Sequence, residues 1–209
     1  MLEAFKEKQD VHRLTAIEIF GAPAESVTEE QRRIAKAINF GLIYGKTAFG
    51  LSQELGIPRK DAQEYIDRYF QRYSKVKEFM SSTIEQARLN GYTRTLFGRQ
   101  RPIRDLASKN VAVRNNAERM AMNAPVQGTA ADIMKIAMIR VAQSVDLMGG
   151  RIVLQVHDEL ILEVPEDQAA AAQDLLIREM SGAAYAMRTT GNSRAFDSER
   201  PSDRAFGRK

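Results

Sequence analysis

The sequence predicts an α+β fold that is predominantly α-helical, with one clear β-hairpin in the C-terminal third. Two observations support this prediction. Apolar residues recur at helical spacing through most of residues 10–145. After Gly149-Gly150 the pattern changes to two β-prone runs, 152–157 and 160–164.

Helix start and stop signals divide the N-terminal part of the chain. Residues 10–20 are predicted to form a short helix that ends at Gly21. Thr28 and Gln31 have the spacing of a capping box, which predicts where the next helix begins. A smaller helical turn is expected within residues 45–56.

Further signals extend the helical region. Pro58 suits the first position of a long helical pattern that ends at Asn90-Gly91. Residues 91–107 are rich in Arg, Gly and Pro, and we expect them to be irregular or short-stranded. We expect Pro125 to end a helix over residues 108–124.

The remaining elements surround the hairpin. Thr129 is expected to cap a helix that runs through Val145. Asp158-Glu159 separates the two β-prone runs and is predicted to be a two-residue turn. An Ala-rich helix over residues 166–187 is expected to cover the hairpin, and a poorly ordered tail is expected over 188–209.

Composition excludes several classes of protein. The chain has no cysteine, which excludes disulfides and thiolate metal sites. No run approaches the roughly 18 apolar residues of a membrane span. Residues 1–6 lack the apolar region of a signal peptide, so we expect a cytoplasmic location and no membrane partner.

The net charge of +4 is weak evidence for a nucleic-acid partner, because residues 188–209 hold six basic against three acidic residues and the rest is nearly neutral. A local cluster is more informative. The stretch 88–119 contains eight basic residues against Asp105 and Glu118 alone. Such a stretch suits a phosphate backbone, and a solvated charged surface is the alternative.

The most informative motif begins at Arg32 and continues with Lys36, Phe40 and Tyr44. Four-residue spacing puts these side chains on one face of a helix. Cations bind phosphates, and aromatic rings contact sugars or stack on bases. A solvated basic face would explain the cations alone, but two aromatic residues in register with them favour a ligand site.

The second motif is the run Gln155 to Glu159, where Asp158 and Glu159 follow His157. Adjacent carboxylates repel one another unless solvent or a cation neutralises them. Magnesium held by few carboxylates together with substrate phosphates suits such an acidic turn. A solvated acidic turn is the alternative.

The third motif is Arg119, Asn123 and Gln127 at four-residue spacing. A guanidinium and two amides can reach acceptors in the minor groove of a nucleic-acid duplex, where contacts check the shape of a base pair more than its sequence. Simple helix capping is the alternative.

Together, these motifs resemble family A DNA polymerases of the bacterial DNA polymerase I type. The resemblance covers about residues 1–180, with specific strings at 10–20, 29–45, 92–132 and 152–164. It implies a fingers subdomain over residues 1–122 and a partial palm subdomain over 123–187. The implied activity is template-directed addition of deoxynucleoside triphosphates (dNTPs) to a primer 3′-OH.

The resemblance also implies site residues. Those expected to bind the dNTP are His12, Arg32, Lys36, Phe40 and Tyr44, with Lys36 also catalytic near the α-phosphate. Those expected to contact DNA are Arg33, Arg119, Asn123, Gln127 and His157. Asp158 and Glu159 are expected to be catalytic and to bind metal, within a site for two Mg²⁺ ions. Phe rather than Tyr at position 40 implies discrimination against chain terminators.

Two-metal phosphoryl transfer needs carboxylates from more than one place, because the ions lie ~3.5–4 Å apart. The family's other carboxylate strand, with an Asp-Tyr-Ser-x-Ile-Glu-like sequence, is expected upstream of His12 and is not found in residues 1–209. The family's last palm strand and its Gly-x-Asn-Trp-like end are not matched by residues 188–209 either. We therefore expect little or no activity from this chain alone, with a separate N-terminal polymerase part as a possible partner.

Two other functions stay open at this point. The chain fits a non-catalytic DNA- or nucleotide-binding remnant that uses the basic stretch 88–119 without chemistry. It also fits a relative of the single-subunit RNA polymerases, although the strings Asn39-Phe40-Gly41 and Gln127-Gly128-Thr129 favour DNA synthesis.

Overall fold

The computed structural model describes residues 2–184, which form eight α-helices and four short strands. The helices are α1 (Leu2–Lys6), α2 (Val11–Phe20), α3 (Glu29–Ile43), α4 (Ala48–Leu55), α5 (Arg59–Arg72), α6 (Ser74–Asn90), α7 (Val111–Asp146) and α8 (Ala169–Ala183). The strands are β1 (Tyr92–Arg94), β2 (Gln100–Pro102), β3 (Arg151–Val156) and β4 (Glu159–Glu163). The predicted α+β, mostly helical class is confirmed. The predicted tail lies outside the described residues.

The chain divides into two compact units. One comprises Met1–Thr93 and Pro102–Asn123, and the other comprises Arg94–Arg101 and Ala124–Lys209. Among residues 2–184, no helix combines the length and the apolar composition that a membrane crossing requires.

The core of the first unit is built by the inner faces of α2 to α5. Its fully buried large side chains are Ile19, Ile38, Leu42, Leu51 and Tyr69. The buried side of α3 is therefore its apolar face, which carries Ile38 and Leu42. The hydroxyl of Tyr69 lies in this core without a hydrogen-bond partner among the described residues. Burial, helped by Tyr73, raises the pKa of Tyr69 to about 12.

The predicted start and stop signals set these helices in place. Asp10 caps α2, and Gly21 ends it in the left-handed conformation, with a φ of 63°. Thr28 Oγ1 accepts from the Gln31 N–H at 3.1 Å, and Gln31 Oε1 accepts from the Thr28 N–H at 3.0 Å, so the predicted capping box is confirmed. Pro58 lies at the N-cap of α5, one residue earlier than predicted.

Helix α7 is longer than the sequence predicted, because Pro125 does not end it. Proline removes one backbone donor, at a cost of about 3 kcal/mol in a helix interior. The helix continues because it buries apolar side chains on both sides of the proline, including Ala121 and Val141. Thr129 does not cap a new helix: its hydroxyl donates to the Pro125 carbonyl at 2.5 Å and accepts from the Leu96 N–H at 2.9 Å.

In the second unit, β3 and β4 form an antiparallel hairpin. Val156 pairs with Glu159, and a bulge interrupts the ladder between Ile152 and Leu154. The inward side chain Leu160 is buried, whereas Ile161 on the opposite face is 49% exposed. Burial of one face fixes this register, since a slip of one residue would exchange the two faces.

The predicted Asp158-Glu159 turn was wrong by one residue. The turn is His157-Asp158, and Glu159 is the first residue of β4. His157 takes a φ of 52°, a conformation that histidine adopts more readily than most side chains. Gln155 Nε2 donates to the His157 carbonyl at 2.6 Å and holds this turn. The run of residue types alone did not reveal which residue would accept the positive φ.

Candidate functional site

The side chains predicted to line one face of α3 form an exposed cationic-aromatic row: Arg32, Lys36, Phe40 and Tyr44. Phe40 is 45% exposed and Tyr44 is 42% exposed. Their rings stack with centroids 6.3 Å apart. Lys36, Phe40 and Tyr44 line a cavity of about 580 Å³, together with other residues of the first unit. Exposed stacked rings beside a cation suit a ligand that has both a flat ring and negative charge.

The three cations at the start of α3 differ in their partners. Arg32 Nε bonds Asp10 Oδ2 at 2.6 Å, and Arg33 Nη2 bonds Glu30 Oε1 at 2.6 Å. Lys36 makes no ion pair with any residue in the described part of the chain. Its ammonium group is therefore available to an anion without the loss of an existing partner.

His12 lies near the row, at the second position of α2. Its ring centroid is 5.6 Å from that of Phe40. Its Nδ1 lies 3.0 Å from the side-chain nitrogen of Asn39. Desolvation lowers the pKa of His12; Asp10 opposes this shift, while Arg32 and Lys36 add to it. The imidazole is therefore neutral at pH 7.

Asp10 connects the backbone of α2 to the row. One carboxylate oxygen accepts from the backbone N–H groups of His12 (2.9 Å) and Arg13 (3.2 Å). The other accepts from Arg32. Partial burial raises the pKa of Asp10, but the hydrogen bonds from Arg32 and the two backbone groups outweigh burial and leave the pKa below its ordinary value.

A glycine brings Arg119 to the same cavity. Gly45 follows Tyr44 with a φ of 73°, which favours glycine. A Cβ at this position would lie 2.5 Å from Met122 Cε and 2.8 Å from Arg119 Cγ. The missing side chain thus permits α7 to pass close to the end of α3, and Arg119 joins the lining of the cavity.

The other two residues of the third motif follow at four-residue intervals along α7. Asn123, in the first unit, has a buried side-chain oxygen without a hydrogen-bond partner among residues 2–184. Gln127, in the second unit, is exposed. An unpaired amide oxygen is available to a donor from outside the chain.

The acidic motif lies at the exposed end of the β3–β4 hairpin. Asp158 is in the turn and Glu159 begins β4. Neither carboxylate has an ion-pair or hydrogen-bond partner within the described range, and His157 is exposed beside them. Two hard oxygen donors fit one side of a Mg²⁺ site that is completed by substrate phosphates. Across residues 2–184, no three acidic or histidine side chains come together as a complete metal site.

Sequence reasoning missed three residues that support the site. Asp10 bonds Arg32, and Asn39 contacts the imidazole of His12. Arg99 bonds Asp132 at 2.6 Å and the Gly128 carbonyl at 3.0 Å, on the turn of α7 that follows Gln127. Asn39 had one signal in the sequence, since it is a polar residue on the apolar face of a predicted helix.

The basic stretch 88–119 is less available to a phosphate backbone than its composition suggested. Arg88 bonds Glu118, Arg99 bonds Asp132, and Arg114 donates to the Ser108 carbonyl at 3.0 Å. At least three of the cations are therefore already engaged within the chain.

Comparison with known proteins gives a consistent match. Residues 1–190 match the model of a family described as DNA polymerase family A. The chain is 54% identical over 186 residues to "DNA polymerase I" of Pseudomonas aeruginosa, covering 88% of the chain and 20% of the relative. It is 49% identical over 182 residues to "DNA polymerase I, thermostable" of Thermus aquaticus, covering 87% of the chain and 22% of the relative.

A solved structure is also similar. It is the POL domain of Pol1 from M. smegmatis, in complex with DNA primer-template and dNTP. The TM-score is 0.81 at 44% identity, over 87% of this chain and 32% of that one. The chain thus spans about a fifth of the length of the curated relatives and about a third of the solved domain.

Proposed function

Because the chain belongs to DNA polymerase family A, we propose that it is the fingers and distal palm of an enzyme that adds dNTPs to a primer 3′-OH and releases pyrophosphate. The fingers correspond to residues 1–122 and the partial palm to residues 123–187. The observation that carries the proposal is the exposed cationic-aromatic row on α3, with His12 beside it. The related solved complex contains DNA primer-template and dNTP, which supports both as partners.

The row binds the dNTP in order along the helix. Lys36, which has no ion pair in the described chain, binds near the α-phosphate and stabilises charge that develops there during transfer. Arg32 binds the β- and γ-phosphates through its terminal nitrogens, because Asp10 occupies only Nε. His12 donates to the triphosphate. Phe40 contacts the ribose, and Tyr44 lies by the template.

Duplex contacts come from residues around the row and the hairpin. Arg33 and Arg119 line the cavity that contains Lys36 and Tyr44. Asn123 and Gln127 contact the minor groove through their amides, and His157 lies near the primer end.

Asp158 and Glu159 would hold Mg²⁺ at the end of the β3–β4 hairpin. The ion, when bound, supplies activation of the primer 3′-oxygen and neutralisation of phosphate charge. Both carboxylates lack partners among the described residues, which supports a ligand role. They supply the donors for only one side of a two-ion site, so we propose that a further carboxylate comes from an N-terminal polymerase part. The chain alone is then inactive, or nearly so. The bacterial relatives support the expected cytoplasmic location.

The first experiment measures binding of a dNTP with Mg²⁺ to the purified chain by calorimetry. Lys36→Met is expected to weaken binding by about tenfold or more, because it removes a charge-assisted contact worth about 1.5–3 kcal/mol. Lys60→Met is the matched control, since Lys60 is an exposed lysine on α5 away from the row. Equal affinity in all three proteins would overturn the assignment of the row.

The second experiment tests the incomplete active site. We expect primer extension only when the chain is mixed with a separately produced N-terminal polymerase part, and Asp158→Asn is expected to abolish it. Steady extension by the chain alone would contradict the missing-carboxylate argument. The alternative, a non-catalytic nucleotide-binding remnant, is favoured by the presence of only two adjacent carboxylates in the described hairpin. Binding of dNTP and DNA without extension in the mixture would support that alternative.

A further inference from the structure

The buried side chain of Asn39 contacts the imidazole of His12. Asn39 is 5% exposed, on the inner face of α3, and its Nδ2 lies 3.0 Å from His12 Nδ1. The same nitrogen lies 3.1 Å from Thr15 Oγ1, and Thr15 is fully buried on α2. Burying a polar amide on this core-facing side of α3 is unfavourable unless its hydrogen bonds are made, so the contacts of Asn39 deserve a physical account.

The Asn39 amide is placed with its nitrogen toward His12, and hydrogen-bond accounting then gives the direction of these contacts. The Thr15 hydroxyl has one proton, and its shortest acceptor is the Val11 carbonyl at 2.8 Å, whereas Asn39 Oδ1 lies at 3.2 Å. Because the hydroxyl donates its one proton to the Val11 carbonyl, it accepts from the Asn39 amide. The two hydrogens of Nδ2 then go to Thr15 Oγ1 and His12 Nδ1. The imidazole nitrogen that faces Asn39 is therefore an acceptor and carries no proton.

We propose that Asn39 is a positioning residue that holds His12 in the tautomer with its proton on Nε2. The inference rests on the dNTP role of His12 proposed above. In this tautomer the nitrogen across the ring from Asn39 is an N–H donor, which suits a phosphate oxygen. In the other tautomer that nitrogen would present a lone pair to the phosphate and repel it.

Charges around His12 favour the same state. Arg32 and Lys36 on α3 oppose a positive imidazole, while Asp10 favours it. With desolvation, the net effect lowers the pKa of His12, so the neutral ring is the relevant form at pH 7 to 8. In a neutral ring, the tautomer decides whether Nε2 of His12 carries a proton to donate.

The charged groups of α5 act elsewhere on α2. Arg68 donates to the Ile19 carbonyl at 2.7 Å, and Arg72 bonds Glu18, both toward the C-terminal end of α2. At the α5–α6 junction, the Tyr73 hydroxyl lies 3.5 Å from Thr15 Oγ1.

The tautomer is measured directly by ¹⁵N NMR of the imidazole nitrogens in the full chain. The sequence has only two histidines, so His157→Gln assigns the His12 signals. At pH 8 we expect Nδ1 of His12 to be unprotonated and Nε2 to carry the proton. A majority of the Nδ1–H form, or an even mixture, would overturn the inference. This readout needs no dNTP and is therefore independent of the proposed function.

Asn39→Asp tests the positioning role. A carboxylate has no hydrogen to donate to Nδ1, so the proton is expected to move to Nδ1, and the pKa of His12 is expected to rise by about one unit or more. Binding of tripolyphosphate, the probe, is then expected to be near the wild-type level below that pKa and at least tenfold weaker above it. The wild-type profile is expected to be flat from pH 7 to 9.

Controls separate the possible outcomes. Thr15→Ser retains the hydroxyl and is expected to retain the tautomer and the flat profile. An equal loss of affinity at every pH in Asn39→Asp would show a merely structural role and overturn the inference. If Asn39→Asp does not fold, the ¹⁵N measurement of the His12 tautomer in the wild-type chain decides whether the inference holds. If the wild type has the Nε2–H tautomer but does not bind tripolyphosphate, the proposed function fails and the assignment of the tautomer stands.

Discussion

Substitution of Asp10 tests the electrostatics that join α2 to the cationic-aromatic row. Asp10 Oδ1 caps α2 through two backbone N–H groups, and Oδ2 pairs with Arg32 at 2.6 Å. Asp10→Asn retains an oxygen for the cap and loses the charge. Asp10→Ala loses both functions. The two variants therefore separate the cap from the ion pair.

The structure sets the size of each effect. Loss of an N-cap costs about 1 kcal/mol of unfolding free energy. The ion pair contributes less, because both side chains are about a third exposed and water screens the pair. We therefore expect Asp10→Ala to lower the unfolding free energy by about 1 kcal/mol or slightly more, and Asp10→Asn to lower it by a smaller amount.

The pH dependence gives a second test with a defined sign. The pKa of Asp10 is lower in the folded chain than its ordinary value. The carboxylate therefore stabilises the fold fully above the unfolded pKa of about 4, and this stabilisation is lost as the pH falls through the folded pKa. The difference between wild type and Asp10→Asn is expected to be constant near pH 7 and to shrink toward zero in acid.

Urea unfolding followed by tyrosine fluorescence is a suitable assay. The chain has no tryptophan, and five of its six tyrosines lie within Met1–Thr93, so the signal reports the first unit. Glu30→Gln is the matched control, since it breaks the exposed Glu30–Arg33 pair on α3 without removing a cap. Equal losses in Asp10→Asn and Asp10→Ala, or a difference that persists at pH 2, would refute the reasoning.

Three further substitutions test packing and buried polar groups. Tyr69→Phe removes a buried hydroxyl that has no partner among the described residues. In urea unfolding we expect the free energy of unfolding to stay the same or to rise by up to about 1 kcal/mol. A lower free energy of unfolding would mean that the hydroxyl is hydrogen-bonded. Arg99→Ala leaves the nearly buried carboxylate of Asp132 without its partner. We expect the free energy of unfolding, followed by thermal circular dichroism, to fall by about 1–3 kcal/mol. Adding Asp132→Asn to this variant is expected to restore part of the loss. Gly150→Ala puts a Cβ 2.8 Å from the backbone oxygen of Glu163. We expect the free energy of unfolding to fall by about 1–3 kcal/mol in the same assay. An unchanged melting temperature would show that the backbone of the hairpin shifts to make room for the methyl group.

The sequence predicted features that depend on neighbouring residues along the chain. The capping box of Thr28 and Gln31 sets where α3 begins, and four-residue spacing then decides which side chains share a face. The row from Arg32 to Tyr44 was predictable for this reason. The fold class of the chain was predictable too, because helical and strand periodicities differ strongly over long segments.

Contacts between distant residues were not predictable from spacing. Asn39 and His12 are 27 residues apart, Asp10 and Arg32 are 22 apart, and Arg99 and Asp132 are 33 apart. Each pair depends on how two elements pack, which no local pattern records. Pro125 illustrates the same limit, because its local preference for a helix end was outweighed by burial along the rest of α7.

The one-residue error at the hairpin has a chemical consequence. If Asp158 and Glu159 had formed the turn, both carboxylates would have been free of the ladder. Instead Glu159 is paired with Val156, so the strand fixes the side of the hairpin on which its side chain lies, whereas Asp158 follows the strained His157 in the turn itself. The two acids are therefore not equivalent: one is held by β pairing, and the other is held by a turn that costs about 1–3 kcal/mol of backbone strain. Glycine at position 157 would adopt the same positive φ without this strain, so the position of Asp158 depends on the geometry of the turn, whereas that of Glu159 depends on the strand.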